Sequence, residues 1–510
     1  MIDWFATFTM QSLGVLSVLF ICAIGAAALV VVVMFILDST QTRDTIRKNY
    51  PVIGRFRYLF SSLGEFFRQY FFAMDREEMP FNRAEREWVY RSSEGGDNTV
   101  AFGSTRTLTP VGTSIFVNCP FPTLDEDAVD APPLIIGPHA RNPYQAQSII
   151  NISAMSYGSL SKPAVRALSR GAALAHCWLN TGEGGISDHH LEGGCDVVFQ
   201  IGTAKYGVRD ETGGIDDNKL REAGAIDQVR MIELKLSQGA KPGKGGILPG
   251  AKVTQEIAQI RNIPAGRDSI SPNGHPEIEN IADLLDLIAH IRDVSGKPTG
   301  FKLVIGAYGW LETMCEQILA RGAEHAPDFI TVDSGDGGTG AAPMPLMDNV
   351  GLPIKESLPM VVDIVTKYGL RDRIRIIASG KLITPAEVAW AYCAGADFVN
   401  SARGFMFALG CIQAMKCNKN TCPTGITTHD PHLQRGLDPA DKAVRVQKFV
   451  KKMRYGVGLI AHSCGVRHPR ELKRYHVRIV QSNGRSVPLD ELYPMQNVVD
   501  KYATKDHRPA

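Results

Sequence analysis

A surplus of charge of either sign is missing from this sequence. Lys and Arg number 55 against 53 Asp and Glu, a formal net charge of +2. That balance offers no basic footprint for nucleic acid. Charge is missing altogether from Trp4 to Leu37. No Lys or Arg precedes that run, only Asp3. The basic start and short apolar core of a secretory signal peptide are therefore both absent. Paired cysteine knuckles are absent too, which weighs against structural zinc. The cysteine spacing is not that of a small secreted disulfide scaffold. Finally, no G-x-G-x-x-G motif follows the first candidate strand, which weighs against an open dinucleotide-binding sheet.

What is present begins with the apolar run. Leu13–Leu37 is almost wholly apolar and long enough to cross a bilayer as a helix. Trp4 and Phe5 suit an interfacial anchor, and Arg43, Arg47, Lys48, Arg55 and Arg57 follow the run. The positive-inside rule then puts the N-terminus outside and the large remainder in the cytoplasm, anchored to the inner membrane. The competing reading is the buried helix of a soluble core. The chain is expected to divide into a short segment 1–12, a transmembrane helix 13–37, a basic and aromatic juxtamembrane linker 38–100, a catalytic barrel with its cysteine loop 101–430, and a helical extension 431–510. Within the linker, Arg55–Tyr70 (RFRYLFSSLGEFFRQY) reads equally as a helix on the anionic leaflet or as a connector packed on the globular body.

From Ser148 onward, short apolar runs, Gly-rich turns and amphipathic stretches alternate. Strands are expected at Ser148–Ser153, Cys177–Asn180, Asp196–Ile201, Met231–Lys235, Thr299–Val304, Asp328–Val332, Ile374–Ala378 and Asp397–Asn400. Helices are expected at Lys162–Ala175, Ile281–Val294, Leu311–Arg321, Leu358–Tyr368 and Pro385–Ala394. Eight strands alternating with helices over some 250 residues fit an α/β fold of the TIM (β/α)8 barrel type. Its chemistry belongs at the C-terminal ends of the strands. Gly-rich loops fall there on consecutive strands: AMSYGSLS, NTGEGG, KLSQGAKPGKGGILPG, DSGDGGTGAAP, SGK and NSARG. One such loop is usually only a turn. Together they describe a large ligand cradled by backbone, with a phosphate cup after strands seven and eight.

The last of these loops leads into LGCIQAMKCNKNTCPTG, where Cys411, Cys417 and Cys422 account for three of the chain's 10 cysteines. Three soft thiolate ligands without a fourth favour an iron–sulfur cluster over zinc. Two alternatives stay open: buried, unliganded thiols, and zinc with help from His429. Cys119, Cys177, Cys195, Cys315, Cys393 and Cys464 are scattered and read as packing. His189 and His190 are adjacent, so their side chains diverge on a regular element, and they read as ordinary loop histidines.

The series AMSYGSLS, NTGEGG, KLSQGAKPGKGGILPGAKV, ISPNGHPEI, DSGDGGTGAAP and ALGCIQAMKCNKNTCPTGITTHDP resembles the FMN-binding synthase domain of glutamate synthase, from about Ile149 to Pro431. The resemblance implies a TIM barrel, FMN, and a [3Fe-4S] cluster on Cys411, Cys417 and Cys422. It implies reduction of 2-iminoglutarate, formed from 2-oxoglutarate and ammonia, with electrons from a donor such as ferredoxin or an NAD(P)H-oxidising flavoprotein. Lys235 matches the lysine beside the flavin, Gln238 and Lys241 match substrate-side residues, and Arg261 matches an arginine that holds a substrate carboxylate. Glu183 in NTGEGG reads equally as a group that steers ammonia or protonates a leaving group and as a turn-stabilising carboxylate. Ser153, Ala154 and Met155 would set backbone against the flavin ring. The glycines of the sixth loop, Gly335, Gly337, Gly338 and Gly340, would approach the ribityl chain, and Gly380, Lys381, Ala402 and Arg403 would hold the phosphate. The glutaminase and C-terminal β-helical domains of full glutamate synthases are not expected here. Two departures stand out. Lys244 replaces a usual Glu, and Ser379-Gly380-Lys381 replaces Asp-Gly-Gly. Two other functions compete: another FMN/iron–sulfur amine oxidoreductase, such as one resembling the N-methylglutamate synthase subunit, and a membrane-bound electron-transfer module.

Overall fold

The computed structural model of the chain describes residues 2–41 and 44–494. Arg43, and residues 495–510 of the expected C-terminal extension, lie outside the described residues. The chain forms two compact units, Met1–Ala84 and Glu85–Ala510.

The first unit is helical. Helix α1 runs over Ile2–Thr40, so the expected segment 1–12 and the apolar run are one continuous element. No proline interrupts it, and most of its described large apolar side chains stay exposed. Thr7–Thr40 is long and apolar enough to cross a membrane. A short helix α2, Thr45–Asn49, is capped by Asp44, whose carboxylate accepts from the amides of Ile46 and Arg47. Helix α3, Gly54–Phe67, continues into one π turn, Arg68–Phe72.

The second unit is built on a closed barrel of eight parallel strands. In chain order these are β1 Ile150–Ile152, β2 Leu179–Asn180, β3 Val197–Ile201, β4 Val229–Lys235, β5 Thr299–Val304, β6 Phe329–Asp333, β7 Arg375–Ser379 and β8 Phe398–Ser401. The sheet closes where β8 pairs with β1, Val399 opposite Ile150 and Ser401 opposite Ile152. All eight expected strands are present, most of them displaced by one or two residues at an end. The helices begin and end where local chemistry dictates. Ser161 caps Lys162–Ala175, and His176 closes it at φ 51°. Asn280 and Asp283 form a capping box on Ile281–Ser295, and Thr384 and Glu387 do the same on Pro385–Ala394. Reciprocal caps of this kind satisfy amides that a helix start leaves unpaired.

A hairpin, Leu134–Ile136 with Tyr144–Ala146, covers the N-terminal end of the barrel. Its Ile136, Tyr144 and Ala146 pack with Trp178, Met231, Phe329 and Phe398 in one buried cluster. Trp178 also donates from Nε1 to Asn400 Oδ1 at 3.1 Å. That end is thereby sealed, and the opposite end is left to bind ligand. After residue 430 the chain forms a long helix, Pro439–Ser463, and then two short strands. The first of these strands pairs antiparallel with Ser114–Phe116, which precedes the barrel.

Candidate functional site

A cavity of about 1240 Å3, partly open to solvent, lies at the C-terminal ends of the barrel strands. Its floor is polar. Glu233 of β4 is buried and accepts from Asn180 Nδ2 at 2.8 Å, Gln200 Nε2 at 2.7 Å and Thr331 Oγ1 at 2.6 Å. Beside it Lys302 of β5 pairs with Asp333 of β6 at 3.0 Å. Five strands therefore point satisfied polar groups inward, which rigidifies the floor.

Above the floor sit most of the residues singled out in the sequence. Lys235, Gln238, Lys241, Arg261 and Glu183 all line the cavity. Lys235 Nζ lies 3.0 Å from Glu183 Oε1. Burial alone would raise the Glu183 carboxyl, but Lys235, Lys241 and Arg261 outweigh it and hold the group below the usual carboxylate range. Gly246 allows the loop after β4 to close over this carboxylate, since a Cβ there would lie 2.1 Å from Glu183 Oε1. Burial, and then the neighbouring Lys235 charge, bring the Lys241 ammonium down to about 8. Gln238 donates to Thr339 Oγ1 at 2.8 Å and so ties the fourth loop to the sixth.

Arg261 ends the helix Gln255–Arg261, but it is buried rather than solvated on a helix face. It donates to Tyr157 O at 3.1 Å and Ser269 Oγ at 3.2 Å, and it lies over the Tyr206 ring. Its Nε has no hydrogen-bond partner. Among the described residues no carboxylate lies at ion-pair distance from it, and a buried guanidinium so placed suits an anionic ligand.

Ser153, Ala154, Met155, Gly338, Gly340, Gly380, Lys381, Ala402 and Arg403 line the same cavity. Gly335 and Gly337 do not. They serve backbone packing behind the wall: a Cβ would lie 2.3 Å from Gly351 O at the first and 2.8 Å from Ser334 O at the second. At Gly338 a Cβ would lie 2.6 Å from Arg403 Nε, and Arg403 donates to Thr339 O at 2.9 Å. Lys381 holds φ 54°, where a side chain is strained. Its ammonium pairs with Asp336 at 2.9 Å. Two cations, with backbone bared at Gly338, Gly340 and Gly380, make this part of the wall fit a phosphate group. The backbone of Ser153–Met155 and the Lys235 ammonium fit a polar, flat ring system. The cavity as a whole therefore fits FMN.

Cys417 also lines the cavity. All ten cysteines are free. Burial pushes the Cys411 thiol up to about 11, and charge on Cys417 and Cys422 adds to this. Hydroxyls of Thr424 and Thr427 outweigh burial at Cys422 and lower its thiol. Among the described residues no three ligand-type side chains converge on a single ion. His429, the alternative ligand, bonds Gly158 O at 2.8 Å through Nε2 instead. Lys252 supplies the test of fit. It is buried and, among the described residues, has no carboxylate at ion-pair distance and donates to Ser159 O at 2.7 Å and Cys417 O at 3.3 Å. Burial brings the Lys252 ammonium down to about 8, and negative charge on Cys417 and Cys422 works against that fall. A buried, unpaired ammonium is costly, and the counter-charge within reach is that of the thiolates. Lys252 therefore favours negative charge on the cysteine loop.

Sequence reasoning missed Gln200, Glu233, Lys302, Asp333 and Lys252. A signal existed for the strand residues: parallel strands read as near-continuous apolar runs, and Glu233, Lys235 and Lys302 break theirs. His189 and His190 occupy a short helix, Asp188–Leu191, rather than a loop. His190 is buried against Ser187 and pushed down to about 3, whereas His189 reaches Glu256 at 2.7 Å. Glu256 also accepts from the Tyr157 hydroxyl at 2.8 Å.

Residues 116–467 match the family model described as the conserved region in glutamate synthase. A glutamate synthase large subunit-like protein of Bacillus subtilis, YerD, is 39% identical over 95% of this chain and 99% of its own length. An archaeal-type glutamate synthase [NADPH] of Thermotoga neapolitana is 34% identical over 62% of this chain, and the match spans 59% of that relative. Among solved structures, the flavin-binding domain of baker's yeast flavocytochrome b2 has a TM-score of 0.45 at 14% identity, covering 80% of this chain and 83% of that one.

Proposed function

The chain belongs to the glutamate synthase family, and from that premise we propose that it is a flavin-dependent oxidoreductase that reduces 2-iminoglutarate, formed from 2-oxoglutarate and ammonia, to glutamate. The observation that carries this reading is one cavity that joins a phosphate-suited wall to a cationic pocket of Lys235, Lys241 and Arg261 around Glu183. When bound, FMN supplies the hydride and a [3Fe-4S] cluster on Cys411, Cys417 and Cys422 supplies the one-electron steps that recharge it.

This chain's own residues do the rest. Arg261 and Lys241 hold the two carboxylates of the substrate, Arg261 through a guanidinium already fixed by Tyr157 and Ser269. With its ammonium near 8, Lys241 is also poised to give a proton to the substrate nitrogen. Glu183, kept ionised by its three cations, orients the ammonia-derived nitrogen. Lys235 places a positive charge beside the flavin ring, where negative charge is stabilised. Gly338, Gly340, Gly380, Ala402, Arg403 and Lys381 hold the phosphate, and Lys381 exchanges Asp336 for it. Helix α1 spans the inner membrane, with the catalytic unit in the cytoplasm. The Thermotoga relative's name points to NADPH as the ultimate electron source, delivered through a ferredoxin or an NADPH-oxidising flavoprotein.

Steady-state assay of anaerobically purified protein with a reduced viologen tests the reading. Glutamate should form only when 2-oxoglutarate and ammonia are both present. Failure to form glutamate from a preparation that holds flavin and iron would overturn it.

A further inference from the structure

Asp38 is the first charged side chain after the apolar run, and it is fully buried. Its carboxylate accepts from Arg47 Nε at 2.9 Å, from Arg55 Nε and Nη2 at 2.8 Å each, and from the Val52 amide at 3.1 Å. The chain leaving α1 is thus folded back and fastened, and the first turn of α3 is held at the depth where α1 ends.

Helix α3 is amphipathic. Phe56, Leu59, Phe60, Leu63, Phe66 and Phe67 recur at the three- and four-residue spacing of one helix face. Every one of them is exposed; Phe60 is 65% and Phe66 50% accessible. Arg57, Ser61 and Arg68 fall on the opposite face. An uncovered aromatic stripe of this size needs an occupant.

We propose that α3 and its π turn, Gly54–Phe72, lie in the interface of an anionic bilayer, the aromatic stripe buried at the boundary of headgroups and acyl chains and the arginines among the headgroups. The proposal rests on the reading of α1 as a spanning helix. Two observations select lipid as the occupant. The clamp on Asp38 sets the start of α3 at the end of a bilayer-length helix, so the membrane surface is already beside the stripe. The stripe is aromatic and flanked by arginine, the composition that binds acidic interfaces.

The test uses the full chain reconstituted into vesicles of mixed phosphatidylcholine and phosphatidylglycerol, some carrying brominated acyl chains. Leu63→Trp puts a reporter at the centre of the stripe, and Ser61→Trp puts one on the opposite face. Each is read as the difference from the parent chain with its 5 tryptophans. The expected result is that brominated lipid quenches the added Leu63→Trp emission at least about twofold more than that of Ser61→Trp, and that the difference shrinks in vesicles of phosphatidylcholine alone. If the chain floats with the vesicles but the two reporters are quenched alike, the proposal fails while the spanning helix stands. If the chain does not float at all, both readings fall.

Discussion

Single charges in dry surroundings decide this site, and three of them give sharp predictions. Arg261→Ala removes a fixed guanidinium and leaves a substrate carboxylate unpaired, at about 2–5 kcal/mol in binding. By affinity arithmetic that is at least about 30-fold in the dissociation constant of 2-oxoglutarate. Titration by flavin absorbance checks it, and the flavin spectrum itself should persist, because the phosphate-suited loops follow other strands. Lys241 loses its proton near 8 because burial and Lys235 both oppose its charge. A step that needs its ammonium therefore slows as pH rises through 8. The fall in kcat/KM should vanish in Lys241→Gln, at a lower overall rate, and a profile flat across that pH in the parent would contradict the assignment. Lys252→Met removes the counter-charge of the cysteine loop. Reduction of the proposed cluster would add negative charge there, so in the variant it should be harder to reduce by at least about tenfold, or 59 mV for a one-electron couple. Redox titration followed by electron paramagnetic resonance reads this directly. Lys235, Gln238, Lys241 and Arg261 were legible as a motif, since KLSQGAKPG carries three of them on one loop. Lys252 was not. Its meaning comes from Ser159 and Cys417, 93 and 165 residues away, and no local pattern encodes such a meeting.

At the scale of elements, the eight strands were legible because each parallel barrel strand is a short apolar run followed by a Gly-rich turn. Their ends were less so, as with β1, expected at Ser148–Ser153 and found at Ile150–Ile152. There Ser148 turns its hydroxyl to Ile150 O at 2.6 Å instead of extending the ladder. The inward polar network was hidden for a different reason. Which face of Glu233 or Lys302 points into the barrel follows from closure, and closure is a property of all eight strands together. The hairpin that seals the barrel was not foreseen, because Leu134–Ile136 and Tyr144–Ala146 are three residues each and carry no periodic signal. Its anchor is Trp178, which packs edge-on against both Tyr144 and Phe398. Trp178→Ala should cost about 3–5 kcal/mol, seen as a lower midpoint in denaturant. An unchanged midpoint would mean that the seal adds little to stability.

At the scale of the molecule, a helical unit with a bilayer-length helix belongs to the same chain as a barrel whose ligand end gathers cations around a phosphate-suited wall. Family membership, the barrel and its cavity stand together, and the chemistry proposed for them turns on one substrate. The cysteine loop borders the cavity through Cys417, as the proposed electron path requires. The most direct measurement is anaerobic stopped-flow reoxidation of the fully reduced protein, followed by flavin absorbance, with amino-acid analysis of the product. The account predicts that 2-oxoglutarate and ammonia together reoxidise the flavin and yield glutamate, that neither does so alone, and that Arg261→Ala needs at least about 30-fold more 2-oxoglutarate for the same response. A reduced, flavin-loaded parent protein that ignores the pair, yet passes electrons to an artificial acceptor, would contradict it.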